Sequence, residues 1–331
     1  MFTNIPCPKG FTLTYYNIRL VAGPHGLVLP AYKGATFRGG FAGTFRRLVC
    51  SMGRQECKSC PAKRNCPYAL VFESEPPAGA AALHKYESIP RPFLLEPPLE
   101  EKQVYAPGEA LTFRLVLIGV AAKLLPYFVV TLDEFARLGI GRGRRPFALD
   151  EIAAVNPLTG ERAVIYHGAD RVVRPAELAV TAEAVWARAA EEAGAADASG
   201  LRITFVTPTR ITYEGQSTRS PEFHTLVRNL LRRVSSLCYF YHGFAYKADF
   251  PAIIRRAEAV SLVEDRTHWH CWERYSSRQK KRIPAEGFVG EAVYRGPIGE
   301  FVPLLRLGEL IHLGKGTVFG QGKFLGKIQG I

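Results

Sequence analysis

Four cysteines stand close together, Cys50, Cys57, Cys60 and Cys66, in the spacing C-x6-C-x2-C-x5-C. The tight pair Cys57-Lys58-Ser59-Cys60 suits two thiolates on one metal ion, and four such donors close a tetrahedral structural zinc site with no open position. Arg54, Lys58, Lys63 and Arg64 share the segment, and neighbouring cations favour thiolates. An iron–sulfur cluster asks for the same ligands, so the spacing predicts structural zinc first, an iron–sulfur cluster second and unmetallated thiols third. Cys7, Cys238 and Cys271 are scattered and read as ordinary buried or half-buried residues.

A second group of residues could meet phosphate. Near the C-terminus, His312 precedes Gly314, Lys315, Gly316, Thr317, Phe319, Gly320, Gln321, Gly322 and Lys323. Such a glycine-rich loop lets backbone N–H groups approach an anion while lysine adds charge. It does not satisfy the Walker pattern G-x-x-x-x-G-K-[ST], and a plain glycine-rich turn between helix and strand is the competing reading.

Upstream lies Trp269-His-Cys-Trp272-Glu-Arg274-Tyr275-Ser-Ser-Arg278-Gln-Lys280-Lys281-Arg282. Aromatic rings and arginine planes stack on unpaired bases and cations meet phosphates, so this block suits RNA. Its bland alternative is a core strand with a solvated basic turn. A third block runs from Tyr32-Lys33-Gly34 through Arg38, Gly39 and Gly40 to Arg46 and Arg47. Of eight histidines, His25, His268, His270 and His312 sit where a general base or acid would be useful; His84, His167, His224 and His242 have no motif around them.

Elements must hold these groups in place. The chain has 331 residues, enough for two domains, with 43 Lys and Arg against 30 Asp and Glu, a net charge of +13 that favours a polyanionic partner. Its opening MFTNIPCPKGF shows no targeting signal, and apolar runs such as Phe113–Ala122 are broken by Arg114 and too short to span a bilayer. A cytoplasmic protein with no membrane partner is expected.

Residues 11–22 alternate as a strand, and Phe37, Phe41, Phe45 and Leu48 recur on one helical face over 36–49. Proline punctuates 74–108; a strand at 110–120, a helix over LPYFVVTLDEFARLG and a strand at RPFALDEIAAV complete a first domain, 1–155. Residues 156–200 hold a hairpin near Ala163–Tyr166, a helix from about 175 to 193 and a linker. The last domain, 201–331, repeats strand, helices, strands, helix, strand. Each half follows the order of a ferredoxin-like (RRM-like) βαββαβ unit, giving an α+β chain of two such domains in tandem with a cysteine insertion at 50–72 in the first.

Taken together, YKGATFRGGFAGTFRRLVC, the cysteine spacing, WERYSSRQ and HLGKGTVFGQGKF resemble the CRISPR-associated RAMP-superfamily endoribonucleases that process precursor CRISPR RNA. The resemblance runs from about residue 11 to 327 and is strongest in the C-terminal third. It implies two domains facing each other, precursor CRISPR repeat RNA across the cleft, and cleavage without a catalytic metal. The 2′-hydroxyl would attack the adjacent phosphate and leave a 2′,3′-cyclic phosphate. His312 or His25 would act as base or acid, Lys315 and Arg274 would offset phosphorane charge, and Tyr275 would orient or donate. Arg38, Arg46, Arg47, Arg278, Gly314, Gly316, Gly320, Gly322 and Lys323 would bind RNA. Many members place a histidine near the first helix; here 36–49 contains none. The alternative is a non-catalytic RAMP subunit that coats guide RNA beside other CRISPR-associated proteins of an effector complex. A basic metal-cluster redox protein is the third reading.

Overall fold

The computed structural model describes residues 5–53, 56–74, 89–195, 199–276 and 281–329, with backbone alone at 194–195, 272–276 and 281–284. The chain divides into two units, one of residues 13–179 and one of 180–331 together with 1–12.

The N-terminal unit contains β1 (Thr12–Ala22), β2 (Leu27–Val28), α1 (Gly34–Val49), α2 (Pro67–Phe72), β3 (Phe93–Glu96), β4 (Val104–Tyr105), β5 (Ala110–Ile118), α3 (Leu125–Leu138), β6 (Phe147–Val155) and β7 (Arg162–His167). Its main sheet has the order β3-β5-β1-β6-β7, with antiparallel neighbours throughout. Spacings of three and four residues put Phe37, Phe41 and Phe45 of α1 on one face, as the sequence predicts, and Phe128, Leu132 and Phe135 of α3 on another; all six are buried. The two faces meet: the Phe41 and Phe128 rings stack at 5.2 Å, and Phe37 sits 4.8 Å from Phe113 of the sheet. Burying a ring of this size contributes about 1.5–3 kcal/mol.

The C-terminal unit contains β8 (Val180–Thr181), α4 (Ala182–Ala195), β9 (Gly200–Thr209), β10 (Thr212–Tyr213), β11 (Gln216–Ser217), α5 (Phe223–Tyr241), α6 (Phe250–Ala257), β12 (Ser261–Ser276), β13 (Lys281–Arg295), α7 (Val302–Ile311) and β14 (Phe324–Gln329). The sheet order is β12-β13-β9-β14. Leu226, Leu230 and Leu237 of α5 and Leu304, Leu307 and Ile311 of α7 are buried, as are Ile203 and Phe205 of β9. Phe223 reaches Tyr294 of β13 at 5.5 Å.

The two units share one pattern: strand, helix, two strands, helix, strand, with the second of these strands at one sheet edge and the first and third central. The division differs from the boundaries expected at 155 and 200. Helix α4 joins the C-terminal unit because it packs on α7, where Arg306 donates to Glu192 at 2.7 Å. Residues at the start of the chain join it too: Trp186 donates to the Ile5 carbonyl and Tyr246 to that of Pro6, at 3.1 and 2.6 Å.

β12 and β13 are much longer than the short strands expected near 261 and 288. β13 pairs with β9 only from Phe288 to Arg295, so from Gly287 outward the two strands pair with each other alone. Among the described residues they form a two-stranded arm of 270–276 and 281–287.

Candidate functional site

α7 brings its apolar face down on α5 and ends at His312, with φ 62° and ψ 167°. This conformation is nearly reserved to glycine and costs about 1–3 kcal/mol in another residue. The imidazole is enclosed, at 0% exposure, and its Nδ1 lies 3.0 Å from the Gln321 carbonyl oxygen. Beside it, buried Arg233 of α5 donates Nε to the Ile311 carbonyl at 2.9 Å, capping a helix end that carries partial negative charge. Burial pulls the Arg233 pKa down to about 10, with Tyr241 acting in the opposite sense.

The glycine-rich loop then folds back on its own chain. A Cβ at Gly316 would fall 1.8 Å from Gln321 Oε1, and one at Gly322 would fall 1.8 Å from the Leu313 carbonyl oxygen. Gly314 packs on the Arg210 carbonyl, and all of Gly314, Gly316, Gly320 and Gly322 have φ between 76° and 82°. The amide of Lys315 donates to Arg210 O, that of Gly322 to Pro208 O, and that of Lys323 to Thr207 Oγ1. The glycines therefore answer a folding need, and these amides serve the protein. What the loop offers outward is chiefly the exposed Lys315 side chain; Lys323 is half-buried. The enclosed His312 offers no surface to a substrate in this conformation.

Arg274 and Tyr275 lie on β12 opposite Ile283 and Arg282, and their side chains fall outside the described residues, as does Arg278 altogether. The arm begins where Trp269 donates Nε1 to Glu286 at 3.4 Å and Arg210 pairs with the same carboxylate at 3.7 Å. Arg274 stands three residues beyond Cys271, Glu286's register partner, which is about 10 Å further toward the tip.

In the N-terminal unit, His25 is exposed in the turn after β1, and its carbonyl accepts from Arg145 Nη1 at 2.6 Å. Arg38 and Arg46 of α1 lie over the rings of Phe72 and Tyr68 at 5.3 and 5.5 Å, while Arg47 pairs with Glu134 of α3 at 2.7 Å. Gly40 is needed because a Cβ there would fall 2.2 Å from the Phe135 ring; at Gly39 and Gly43 it would meet open space. Lys33, at the start of α1, is fully enclosed and donates Nζ to the Glu100 and Ala31 carbonyls at 2.6 and 3.2 Å. Burial lowers its pKa, and Glu100 raises it.

Cys50, Cys57, Cys60 and Cys66 are all half-buried free thiols between α1 and α2. Burial raises the Cys57 pKa, Arg46 lowers it, and Glu73, Cys66 and Cys50 raise it further, which places the three thiols within electrostatic reach. Among the described residues no three His, Cys, Asp or Glu stand together as a metal site, so the expected metal-binding insertion is not assembled. Arg54 and Gln55, inside this segment, lie outside the described residues.

Sequence reasoning missed a further cluster on the C-terminal unit. Tyr213 of β10 has Arg228 of α5 over its ring at 5.4 Å and His224 edge-on at 5.4 Å. Its signal was the spacing His224, Arg228, Arg232, one basic residue every turn of α5.

Residues 11–178 match the family model AF_1859_N, an N-terminal domain, and residues 203–324 match that of the CRISPR-associated endoribonuclease Cas6. The chain belongs to the first family and carries a Cas6 domain. That domain runs from β9 to the first residue of β14 and so includes the arm, the α5 stripe and the glycine-rich loop.

A Cas6 product complex has a TM-score of 0.51 at 18% identity, covering 96% of this chain and 99% of that one. Thermus thermophilus Cas6 gives 0.50 at 17%, with the same coverages. A chain of a partial Cas6-RT-Cas1–Cas2 complex gives 0.57 at 11%, over 98% of this chain and 47% of that one. These likenesses are of fold. An uncharacterized protein of Archaeoglobus fulgidus is 28% identical over 113 residues, 34% of this chain and 37% of that protein, so the matched region spans little more than a third of this curated relative. Among the described residues no helix is long and apolar enough to cross a membrane.

Proposed function

We propose that the protein binds precursor CRISPR repeat RNA and cuts it as a metal-independent endoribonuclease, in the cytoplasm. The observation that carries this is the Cas6 domain over residues 203–324, whose span coincides with the basic arm and the glycine-rich loop. A +13 charge supports a phosphate-rich partner. The shared strand–helix–strand–strand–helix–strand order supports two ferredoxin-like units.

In the proposed reaction a base takes the proton of a 2′-hydroxyl, whose oxygen attacks the adjacent phosphorus. The 5′-oxygen leaves and takes a proton from an acid. The products are a 2′,3′-cyclic phosphate and a 5′-hydroxyl, with no net change in charge on the protein. With His312 enclosed, exposed His25 becomes the first histidine to test as base or acid. Exposed Lys315 is the first cation to test for stabilising the phosphorane, and Arg274 and Tyr275 of the arm are the next residues to test. Other CRISPR-associated proteins are proposed as partners, by analogy with the assembly that holds a similar chain.

We propose separately that the four-cysteine segment takes a structural zinc, or an iron–sulfur cluster. Its support is the C-x6-C-x2-C-x5-C spacing and the half-burial of all four thiols between α1 and α2.

The test is incubation of the purified protein with the repeat RNA of its own locus in EDTA. One cut is expected, leaving a cyclic phosphate by mass spectrometry, and His25→Ala should slow it at least ~10²-fold. Tight binding with no cut would identify the non-catalytic RAMP subunit instead, a reading that the enclosure of His312 favours.

A further inference from the structure

One chain segment, 213–219, leads from the α5 stripe to the base of the arm. Tyr213 stands on the small hairpin β10–β11, which turns at Glu214 and Gly215, both at positive φ, and is closed by Thr218 N donating to Ile211 O. Arg228 covers the Tyr213 ring. Arg232, one turn on, is exposed and donates Nη2 to Asn229 Oδ1 at 2.7 Å. At the other end of the same loop, exposed Arg219 lies over the ring of Trp269 at 5.3 Å. Trp269 and Arg210 share Glu286, and the Arg210 carbonyl holds the Lys315 amide. Contacts thus run from Lys315 through Arg210 and Glu286 to Trp269 with Arg219, and the chain from 219 back to 213 leads to Tyr213 with Arg228.

We propose that this surface is a track for unpaired RNA, in which Trp269 with Arg219 and Tyr213 with Arg228 are two base-stacking positions leading away from the glycine-rich loop. The inference rests on the RNA reading above and adds to it a single-stranded substrate segment. Three features favour it. Each ring is paired with a guanidinium, and a base stacks on either plane. Arg219, Arg232 and Lys315 are exposed and offer charge to phosphates. The Nε of Arg228 and the Nδ1 of His224 beside the Tyr213 ring are buried with no hydrogen-bond partner among the described residues. Against the five cations stand Glu286, held by Arg210, Glu214 at the hairpin turn, and Glu222, which accepts from Ser220 Oγ. Paired RNA has its bases stacked on one another and offers the rings nothing, so the track selects single strands.

The probes are an oligouridylate and a blunt duplex RNA, titrated into the full-length protein while tryptophan fluorescence and anisotropy are read. Oligouridylate should quench the emission, and Trp269→Leu should remove most of that quench. Arg219→Ala and Tyr213→Leu should each weaken oligouridylate binding about 5- to 100-fold while leaving duplex binding unchanged. Trp269→Phe should keep most of the affinity lost in Trp269→Leu. Because Arg219 is exposed, Arg219→Ala keeps the test informative if Tyr213→Leu fails to fold. Unchanged oligouridylate binding in Arg219→Ala, or an equal loss for duplex, would overturn the track and leave the RNA reading intact. A wild-type protein that binds neither RNA would remove both.

Discussion

The Nδ1 of His312 lies 3.0 Å from the carbonyl oxygen of Gln321, and Oε1 of Gln321 fills the space where Gly316 would carry a Cβ. Three residues spread along the glycine-rich loop are therefore one contact. His312 holds it from a backbone conformation that favours glycine. His312→Gly should relieve that strain but lose the imidazole, whereas His312→Ala loses the imidazole and keeps the strain. The glycine variant should be more stable than the alanine variant by about 1–3 kcal/mol, read from chemical denaturation. Equal stabilities would show that no strain is stored there.

Lys315 offers the loop's exposed charge, so its contribution should appear as a salt effect. Lys315→Ala should flatten the slope of log K against log[salt] for repeat RNA by about 0.7–0.9. Lys323→Ala should change the slope less, because that side chain is half-buried and its amide is already held by Thr207. An unchanged slope in Lys315→Ala would take the loop out of the RNA path.

What the sequence made legible follows from what side chains do by themselves. Phe37, Phe41 and Phe45 declare their helix because a 3.6-residue period needs no knowledge of the partner. The alternation of residues 11–22 declares β1 in the same way. The length of β12 was hidden because its half-buried face past Leu262 carries Glu264, Thr267 and Trp269, so exposure alternates there but hydrophobicity does not. The enclosure of His312 was hidden too. It stands one residue past the last helical position of α7, and a positive φ there turns the ring inward. Arg219 and Trp269 are 50 positions apart and meet only in the fold. For α4, the helix was legible, but its choice of unit rested on Arg306 and Glu192, far apart in sequence.

The cysteine segment gives a metal prediction independent of RNA. Purified protein should carry about one zinc or one cluster per chain by elemental analysis, and Cys57→Ser or Cys60→Ser should lose it together with soluble protein, because structural metals contribute their binding energy to folding. Soluble, metal-free wild-type protein of full activity would remove the metal reading and leave the cysteines as ordinary thiols.

Lys33 carries a pH-dependent share of stability. Its folded pKa lies below the ordinary value of 10.5, because burial disfavours the charged form. The folded state then binds fewer protons than the unfolded one, so this group makes the protein more stable as pH rises through its folded pKa toward 10.5. Lys33→Met leaves the Glu100 and Ala31 carbonyls without their donor and should cost about 1–3 kcal/mol. The gap between wild type and variant should widen from neutral toward alkaline pH in urea denaturation. A gap that narrows would mean that Lys33 is charged and paired in the folded state.

The glycines of α1 separate packing from binding within five residues. Gly40 lies under Phe135, where a methyl group would fall 2.2 Å from a ring carbon. Gly40→Ala should therefore destabilise the N-terminal unit by about 1–3 kcal/mol as the ring is displaced. Gly39 and Gly43 are one turn apart on the exposed face, and a methyl group at either meets nothing of the protein. Glycine in a helix interior costs up to ~1 kcal/mol relative to alanine, so Gly39→Ala and Gly43→Ala should each raise the melting temperature. If that bare face lets an RNA backbone approach between Arg46 and Arg47, the same two variants should bind repeat RNA more weakly although they are more stable. Melting and binding are to be measured on one preparation. Variants that gain stability and bind like wild type would show that α1 carries only the fold, and would move the search for the cut to the C-terminal unit.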